Sequence, residues 1–422
     1  MTTVVVVGLG YVGLPLAMRA AEVGHRVVGY DVDEARVKSL EAGESYVEDV
    51  PSGELKAALA GGMFRPSADP SVCAGFDVAV VAAPTPLRDG LPDLTYLEDS
   101  ARTLSGYLRS GATVVIESTS YPGTTQEKVL PLLEEGSGLV AGRDFHLGFS
   151  PERIDPGNTT WTLVTTPKIV SGIDEASLEV IKAFYDTIVD RTVVVSSPRE
   201  AELAKLVENT FRHVNIALVN ELAIMCRRLG LSVWEIIDAA ATKPFGFMPF
   251  YPGPGIGGHC LPSDPYYLSW RARMMGYEAR FIAFADEING GMPAYTVQLV
   301  ADALNDQGKP LKGSRILALG VAYKPGVGDV RDSPAVEIID ALLLRGARVD
   351  YADPHVPALT VGNRRLEAVP WAAADLASYD LVAVLTAHRQ FEPVRLCREA
   401  RLVIDTRNLT GPVGVQPHVI RL

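Results

Sequence analysis

Residues 2–43 read TTVVVVGLGYVGLPLAMRAAEVGHRVVGYDVDEARVKSLEAG. A β-branched apolar run breaks at Gly8, a helical pattern follows, and a second apolar run ends at Asp31 before another helical stretch. This order predicts a βαβ unit. Gly8, Gly10 and Gly13 form G-x-G-x-x-G at its first turn. The first glycine permits the tight turn, the second lets backbone approach a pyrophosphate, and the third lets helix and strand pack closely. The phosphates then sit at the helix N-terminus. Asp31 stands 23 positions after Gly8, where a carboxylate accepts hydrogen bonds from a ribose 2′-hydroxyl and repels a 2′-phosphate. NAD is therefore the expected cofactor rather than NADP. Arg36 keeps two readings open, a surface arginine on the next helix or a contact to the ribose.

The same rhythm continues through DVAVVAAPTP at Asp77, ATVVIEST at Ala112, FHLGFSPER at Phe145 and DRTVVVSS at Asp190. Strands alternating with helices predict a parallel, doubly wound sheet of the Rossmann type over residues 1–195. From SPREAELAKLVENTFRHVNIALVNELAIMCRRLGL, a helix of about 30 residues stopping at Gly230, the chain turns helical. A second helical stretch over Phe281–Asp306, with an interruption near Gly290 and Gly291, completes a central helical domain at 196–312. Strand, loop, helix and strand return from SRILALGVAYKP onward, giving a C-terminal α/β domain over 313–422 whose first turn lacks the glycine fingerprint.

The formal charge of −12 opposes nucleic acid and anionic membranes, and no basic block offsets it. The N-terminus lacks a signal-peptide pattern, and no apolar run reaches the roughly 20 residues of a membrane span. A cytoplasmic protein is the expectation. Cys73, Cys226, Cys260 and Cys397 form no CxxC pair, so neither a disulfide framework nor a zinc site is expected.

The segment YPGPGIGGHCLPSDPYYL, Tyr251–Leu268, concentrates glycine and proline around Cys260. It reads as a constrained loop. Gly255, Gly257 and Gly258 leave backbone N–H groups accessible to an anion, while Pro252, Pro254 and Pro262 restrict the chain. A structural turn accounts for those residues but leaves Cys260 and Asp264 without a purpose, whereas nucleophilic catalysis uses both. His259 reads as a loop-shaping or substrate-contacting residue. Cys73, Cys226 and Cys397 read as packing residues. Lys205 and Asn209 lie four apart and share one face of the long helix; the alternative is a solvated edge with Glu202 and Lys205 as a surface pair.

GLGYVGLP, VAAPTPL, STSYPGTT, SPERIDPGN, AELAKLVENTFRHVNIALVNEL, TKPFGFMPFYPGPGIGGHCLPSDPYYLSW and GVAYKPGVGDVRDSPA occur in the order found in nucleotide-sugar 6-dehydrogenases. Over essentially its whole length the chain resembles these enzymes, which oxidise C6 of UDP-glucose, UDP-N-acetylglucosamine or UDP-N-acetylmannosamine to a carboxylate with two NAD. The resemblance implies Cys260 as the nucleophile that converts an aldehyde to a thiohemiacetal and then a thioester. It implies Lys205 and Asn209 at the oxyanion, Asp264 and Thr119 in proton transfer through water, and Glu152 as acid–base in thioester hydrolysis. Members with PEFLRE carry a second glutamate where Pro156 stands here. The cofactor set is Gly8, Gly10, Tyr11, Val12, Gly13, Asp31, Arg36, Thr85, Thr119 and Arg331. The substrate set is Glu152, Arg153, Lys205, Asn209, Tyr251, Gly257 and Lys324, with Tyr251 packing on the base. No metal is expected. A homodimer through the central helices is implied.

The 242–260 segment looks closest to the UDP-N-acetylglucosamine pattern; UDP-glucose, dTDP-glucose and UDP-N-acetylmannosamine stay open. Two other classes remain. A β-hydroxyacid dehydrogenase shares an NAD domain and a catalytic lysine and asparagine but needs no cysteine, and a non-catalytic NAD-binding module needs none of these side chains.

Overall fold

The computed structural model describes residues 2–88, 90–154, 158, 160–258 and 260–422, with the side chain of Cys260 excepted. The chain forms two compact units, Met1–Glu208 with Tyr266–Glu278, and Asn209–Pro265 with Ala279–Leu422.

In the first unit, strands β1 (Thr3–Val7), β2 (Arg26–Tyr30), β3 (Phe64–Ser67), β4 (Val78–Val81), β5 (Thr113–Ile116), β6 (His146–Phe149), β7 (Lys168–Gly172) and β8 (Thr192–Val194) form one sheet. Their order is β8-β7-β6-β5-β4-β1-β2-β3. Helices α1 (Gly13–Glu22), α2 (Glu34–Glu41), α3 (Ser52–Ala60), α4 (Thr95–Ser105), α5 (Leu130–Ser137) and α6 (Glu175–Tyr185) accompany it. Alternate residues point to opposite faces: Val5, Val7, Ala79 and Val81 pack with Leu97 and Leu104, while Val4, Val6 and Val80 pack with Leu14, Leu16 and Ile181. Both faces are covered, which is why these strands read as unbroken apolar runs. The strand order reverses between β4 and β1, the switch point at whose carboxyl edge open α/β sheets bind ligands.

Two features depart from the all-parallel expectation. Strand β7 was not foreseen, and it runs antiparallel to β6, pairing Gly148 with Gly172 and Phe149 with Ser171. Strand β8 follows β7 in parallel. A parallel neighbour needs a crossover, usually helical, and the described residues between β6 and β7 contain no helix.

Helix α7 (Pro198–Leu229) begins in the first unit and continues in the second. The second unit adds α8 (Val233–Ala241), the start of α9 (Cys260–Met274) and α10 (Arg280–Asp306). Its own sheet holds β9 (Arg315–Leu319), β10 (Arg348–Ala352), β11 (Leu381–Val384), β12 (Val403–Asp405) and β13 (Val419–Arg421), all parallel, in the order β10-β9-β11-β12-β13. Helices α11 (Pro334–Leu344) and α12 (Pro393–Glu399) complete it. Val219, Trp234, Val300 and Leu304 share one core with Ile316, Ile338 and Leu381. No helix among the described residues is long and apolar enough to cross a membrane.

Two expectations are corrected here. The segment from Cys260 is helical, because Pro262 lies in a first turn whose N–H groups need no intrahelical partner. Helix α10 is also uninterrupted through Gly290 and Gly291, as the burial of Met292, Thr296, Val297, Leu299 and Val300 outweighs about 1 kcal/mol per glycine. A methyl group on Gly291 would meet no atom within 4 Å. Gly291→Ala is therefore expected to raise unfolding free energy by about 0.5–1 kcal/mol in urea denaturation.

Candidate active site

The sequence fingerprint builds a cradle. Gly8 has φ +90°, and a Cβ on Gly13 would lie 1.8 Å from the Gly8 carbonyl oxygen. A Cβ on Gly10 would meet nothing within 4 Å, so backbone is open where a pyrophosphate would approach. Helix α1 has no side-chain cap, leaving its first N–H groups to a ligand. Asp31 is buried after β2; one oxygen accepts the Leu9 N–H at 2.8 Å and the other the Asp33 N–H at 2.9 Å. The acidic residue thus braces the glycine turn. Arg36 lies 3.6 Å from Asp31 and 3.4 Å from Asp33, so its charge is engaged by carboxylates. Tyr11 is exposed beside Val12, and Thr85, whose carbonyl accepts the Tyr267 hydroxyl at 2.9 Å, is buried after β4. These residues fit NAD.

On α7 the solvated-edge reading fails. Glu202, Lys205 and Asn209 are all buried. Glu202 accepts the Gly123 N–H at 2.5 Å, the Thr125 N–H at 2.8 Å and the Thr125 hydroxyl at 2.7 Å, so it fixes the turn after Thr119 rather than pairing with Lys205. Lys205 makes no ion pair among the described residues. Asn209 donates its Nδ2 to Asp264 Oδ2 at 2.5 Å and accepts from Arg212 at 2.6 Å on its carbonyl oxygen. Asp264 sits one turn into α9, the helix that Cys260 opens. His259 and the Cys260 thiol lie outside the described residues.

Glu152 follows β6. It accepts the Arg153 and Ile154 N–H groups on Oε1 at 2.5 Å each, and Lys168 Nζ lies 3.3 Å from Oε2. The Arg153 guanidinium is committed to Glu208 at 2.7 Å and to the Pro167 carbonyl at 2.6 Å. Thr119 is half-buried beside Ser118, whose hydroxyl donates to the Ala83 carbonyl at 2.8 Å.

In the second unit the glycine segment packs tightly. Cβ atoms on Gly257 and Gly253 would lie 2.6 Å from the Asp332 carbonyl oxygen and 2.3 Å from Arg407 Nη1. The Gly258 N–H donates to the Arg331 carbonyl at 3.0 Å, and the Arg331 side chain forks onto Asp329. Lys324 Nζ stands 5.8 Å from the Tyr323 ring centroid. Tyr251 stacks on Trp234, centroids 5.9 Å apart and planes 14° apart, and its hydroxyl donates to Asp238 at 2.8 Å. Trp234, Asp238, Tyr251, Pro252, Arg407 and Asn408 line a cavity of about 370 Å³. Arg407 donates through Nε to the Leu385 carbonyl at 3.0 Å and has no ion-pair partner among the described residues; burial lowers its pKa to about 10. A larger cavity, about 400 Å³, lies along the end of α7 and β13 and contains none of the predicted site residues.

Comparison with known proteins matches all three parts of the chain. Residues 2–189 match the NAD binding domain of the UDP-glucose/GDP-mannose dehydrogenase family, 199–290 its central domain and 317–412 its UDP binding domain. A UDP-N-acetyl-D-glucosamine 6-dehydrogenase of Pseudomonas aeruginosa is 37% identical over 92% of this chain and 91% of its own. The chain belongs to the UDP-glucose/GDP-mannose dehydrogenase family. A UDP-N-acetyl-D-mannosamine dehydrogenase of Pyrococcus horikoshii is 36% identical, with 97% of each chain covered. A solved structure of a UDP-N-acetylmannosamine dehydrogenase from Pyrococcus horikoshii superposes with a TM-score of 0.89, at 33% identity, over 99% of this chain and 97% of that one. The protein is an oxidoreductase, an NAD-dependent dehydrogenase of UDP-sugars.

Sequence reasoning missed Arg407, Lys168 and Glu117. The half-buried position of Arg407 depends on Gly253, far away in the chain, and a lysine before a short apolar run gives no local sign of burial. Cys73, Cys226 and Cys397 are buried and unbridged, as packing residues should be. Burial pushes the Glu202 carboxyl up to about 7 from 4.5, against the hydrogen bonds it accepts. The folded state therefore binds more protons than the unfolded chain between those values, and stability drains away as pH rises through about 7. Relative to Glu202→Gln, the family member should lose on the order of 3 kcal/mol of unfolding free energy between pH 4.5 and about 7.5, measured by denaturant titration across pH.

Proposed function

We propose that the protein is a UDP-N-acetylglucosamine 6-dehydrogenase of the cytoplasm that carries C6 from alcohol to carboxylate through a thioester on Cys260. The observation that supports this most directly is the buried hydrogen bond from Asn209 to Asp264, which ties the helix of Lys205 to the helix that Cys260 opens.

NAD, when bound, supplies the hydride acceptor for both oxidations. Asp264, with a water held by Thr119, takes the C6 hydroxyl proton, while Lys205 and Asn209 carry the charge developing on that oxygen. Cys260 starts a helix, where the backbone field favours a thiolate. Its sulfur adds to the aldehyde carbon, and the oxygen takes a proton to give a thiohemiacetal. Loss of hydride and of the hydroxyl proton from that adduct leaves a thioester. Glu152 then accepts a proton from water as the water oxygen bonds to the carbonyl carbon; the C–S bond breaks, the thiolate recovers its electron pair and the uronate is released.

On the nucleotide side, Tyr251 offers a flat face for the base, and Arg407, Gly257 and Lys324 suit the diphosphate. Arg407 lacks a carboxylate among the described residues, and an anion would offset the cost of its burial. UDP-N-acetylmannosamine is the second reading, favoured by the 36% identity to a relative named for that substrate. The two sugars differ only at C2, so a panel of UDP- and dTDP-hexoses with NADH as readout decides between them.

The proposal expects two NADH per sugar oxidised; a ratio of one with an aldehyde product would overturn it. Cys260→Ala is expected to abolish acid formation while NAD affinity, by fluorescence titration, stays unchanged.

A homodimer through the central helices is part of the same proposal. Phe211, Leu218, Met225 and Leu229 form an exposed apolar stripe on α7, with Phe281 and Phe284 exposed on α10. Such a stripe on a long helix suits burial against a second copy. Light scattering should give twice the monomer mass, and Leu218→Glu should halve it.

A further inference from the structure

Three charged side chains of the first unit are buried together at one edge of its sheet. Glu117 follows β5, Glu152 follows β6, and Lys168 opens β7. Because β7 runs antiparallel to β6, its first residue returns to the edge where the parallel strands end. Lys168 Nζ lies 2.9 Å from Glu117 Oε1 and 3.3 Å from Glu152 Oε2, with side-chain exposures of 3%, 0% and 10% in that order. The Tyr185 hydroxyl donates to Glu117 Oε1 at 2.5 Å, and its ring centroid stands 5.3 Å from the ammonium. Glu117 Oε2 is buried without a hydrogen-bond partner among the described residues.

This is a costly arrangement if its only purpose is stability. Two carboxylates on one ammonium leave a net negative charge out of water, and well-packed apolar residues usually stabilise as well or better. The charges do not settle evenly. Burial opposes ionisation of Glu117 and raises its pKa despite Lys168 beside it. Burial also works against the lysine charge, but Glu117 and Glu152 outweigh it and raise the Lys168 pKa. The ammonium therefore persists, and an extra proton goes to Glu117. Glu152 differs from Glu117 in accepting two backbone N–H groups besides the lysine.

We propose that Lys168, clamped by Glu117 and Tyr185, is a positioning residue that fixes the Glu152 carboxylate in place for thioester hydrolysis; this rests on the reading of Glu152 as the hydrolytic base. Lys168 touches neither sugar nor NAD in this scheme. It acts on the last step alone, after both hydrides have left.

The test uses the full-length enzyme with NAD and UDP-N-acetylglucosamine, or whichever UDP-hexose the panel identifies, in stopped flow. Lys168→Met should release two NADH per active site at a rate close to wild type, then turn over about 10–100-fold more slowly, less than the roughly 10²–10⁴-fold loss expected for the base itself. Acyl adduct should accumulate on Cys260 by mass spectrometry, with KM for the sugar unchanged. Lys168→Arg keeps the charge and should restore turnover, and it serves if the methionine variant does not fold. Equal loss of burst and turnover would mean a structural lysine and overturn the proposal, as would wild-type turnover. Glu152→Gln, run alongside, separates the two readings. If it hydrolyses normally, the role of Glu152 fails; if it stalls with adduct while both lysine variants do not, only the role of Lys168 fails.

Discussion

Helix α7 buries a row of polar side chains along with Leu206, Val219 and Cys226, and much of the candidate site depends on how that polar row is satisfied. Glu202, Lys205, Asn209, His213 and Asn220 are buried at steps of three, four, four and seven, which is one helical face. A buried polar group left unpaired costs about 1–3 kcal/mol, so each of these side chains captures a specific segment or remains a liability. Glu202 holds the Gly123–Thr125 turn, Asn209 holds Asp264, and Asn220 donates to Asn289 and accepts the Gly253 N–H. Phe211, Leu218 and Met225 occupy the other side. Lys205 makes no ion pair among the described residues; on the proposed reading it is a buried ammonium suited to a charge that exists only while substrate reacts.

The N-terminal half of this architecture was legible because its signals are local. Strand, glycine turn, helix and Asp31 fall within about thirty residues, and each glycine has one geometric purpose. The shared face of Lys205 and Asn209 was legible from spacing alone. Their burial was not, since charged helix residues usually meet water. Asn209 needs Asp264, a partner 55 positions away. What escaped was set by distant pairing. Strand β7 has only KIVSG to announce it, and its direction follows from how the chain returns after β6. Proline and glycine around Cys260 suggested a loop, yet proline is tolerated in a first helical turn, so the same composition also suits a helix start.

The two sheets follow one rule. Both present their candidate site residues at the carboxyl ends of parallel strands, where loops are free to diverge. In the first unit that edge carries Asp31, Glu117 and Glu152, with Lys168 between the two glutamates. In the second it carries Lys324 after β9 and Arg407 after β12, together with the buried Asp353 and Asp405. Half-buried Arg407, with its pKa at about 10, is still charged at neutral pH and lacks a carboxylate among the described residues. On the proposed reading its desolvation is a standing cost in the free protein, recovered when an anion arrives. On the same reading Asp31 works in reverse, since an extra phosphate on the cofactor ribose would face a buried carboxylate. On the reading proposed above, a chain with formal charge −12 binds a doubly charged nucleotide sugar because the local charge of Lys324 and Arg407, rather than the net charge, meets the diphosphate.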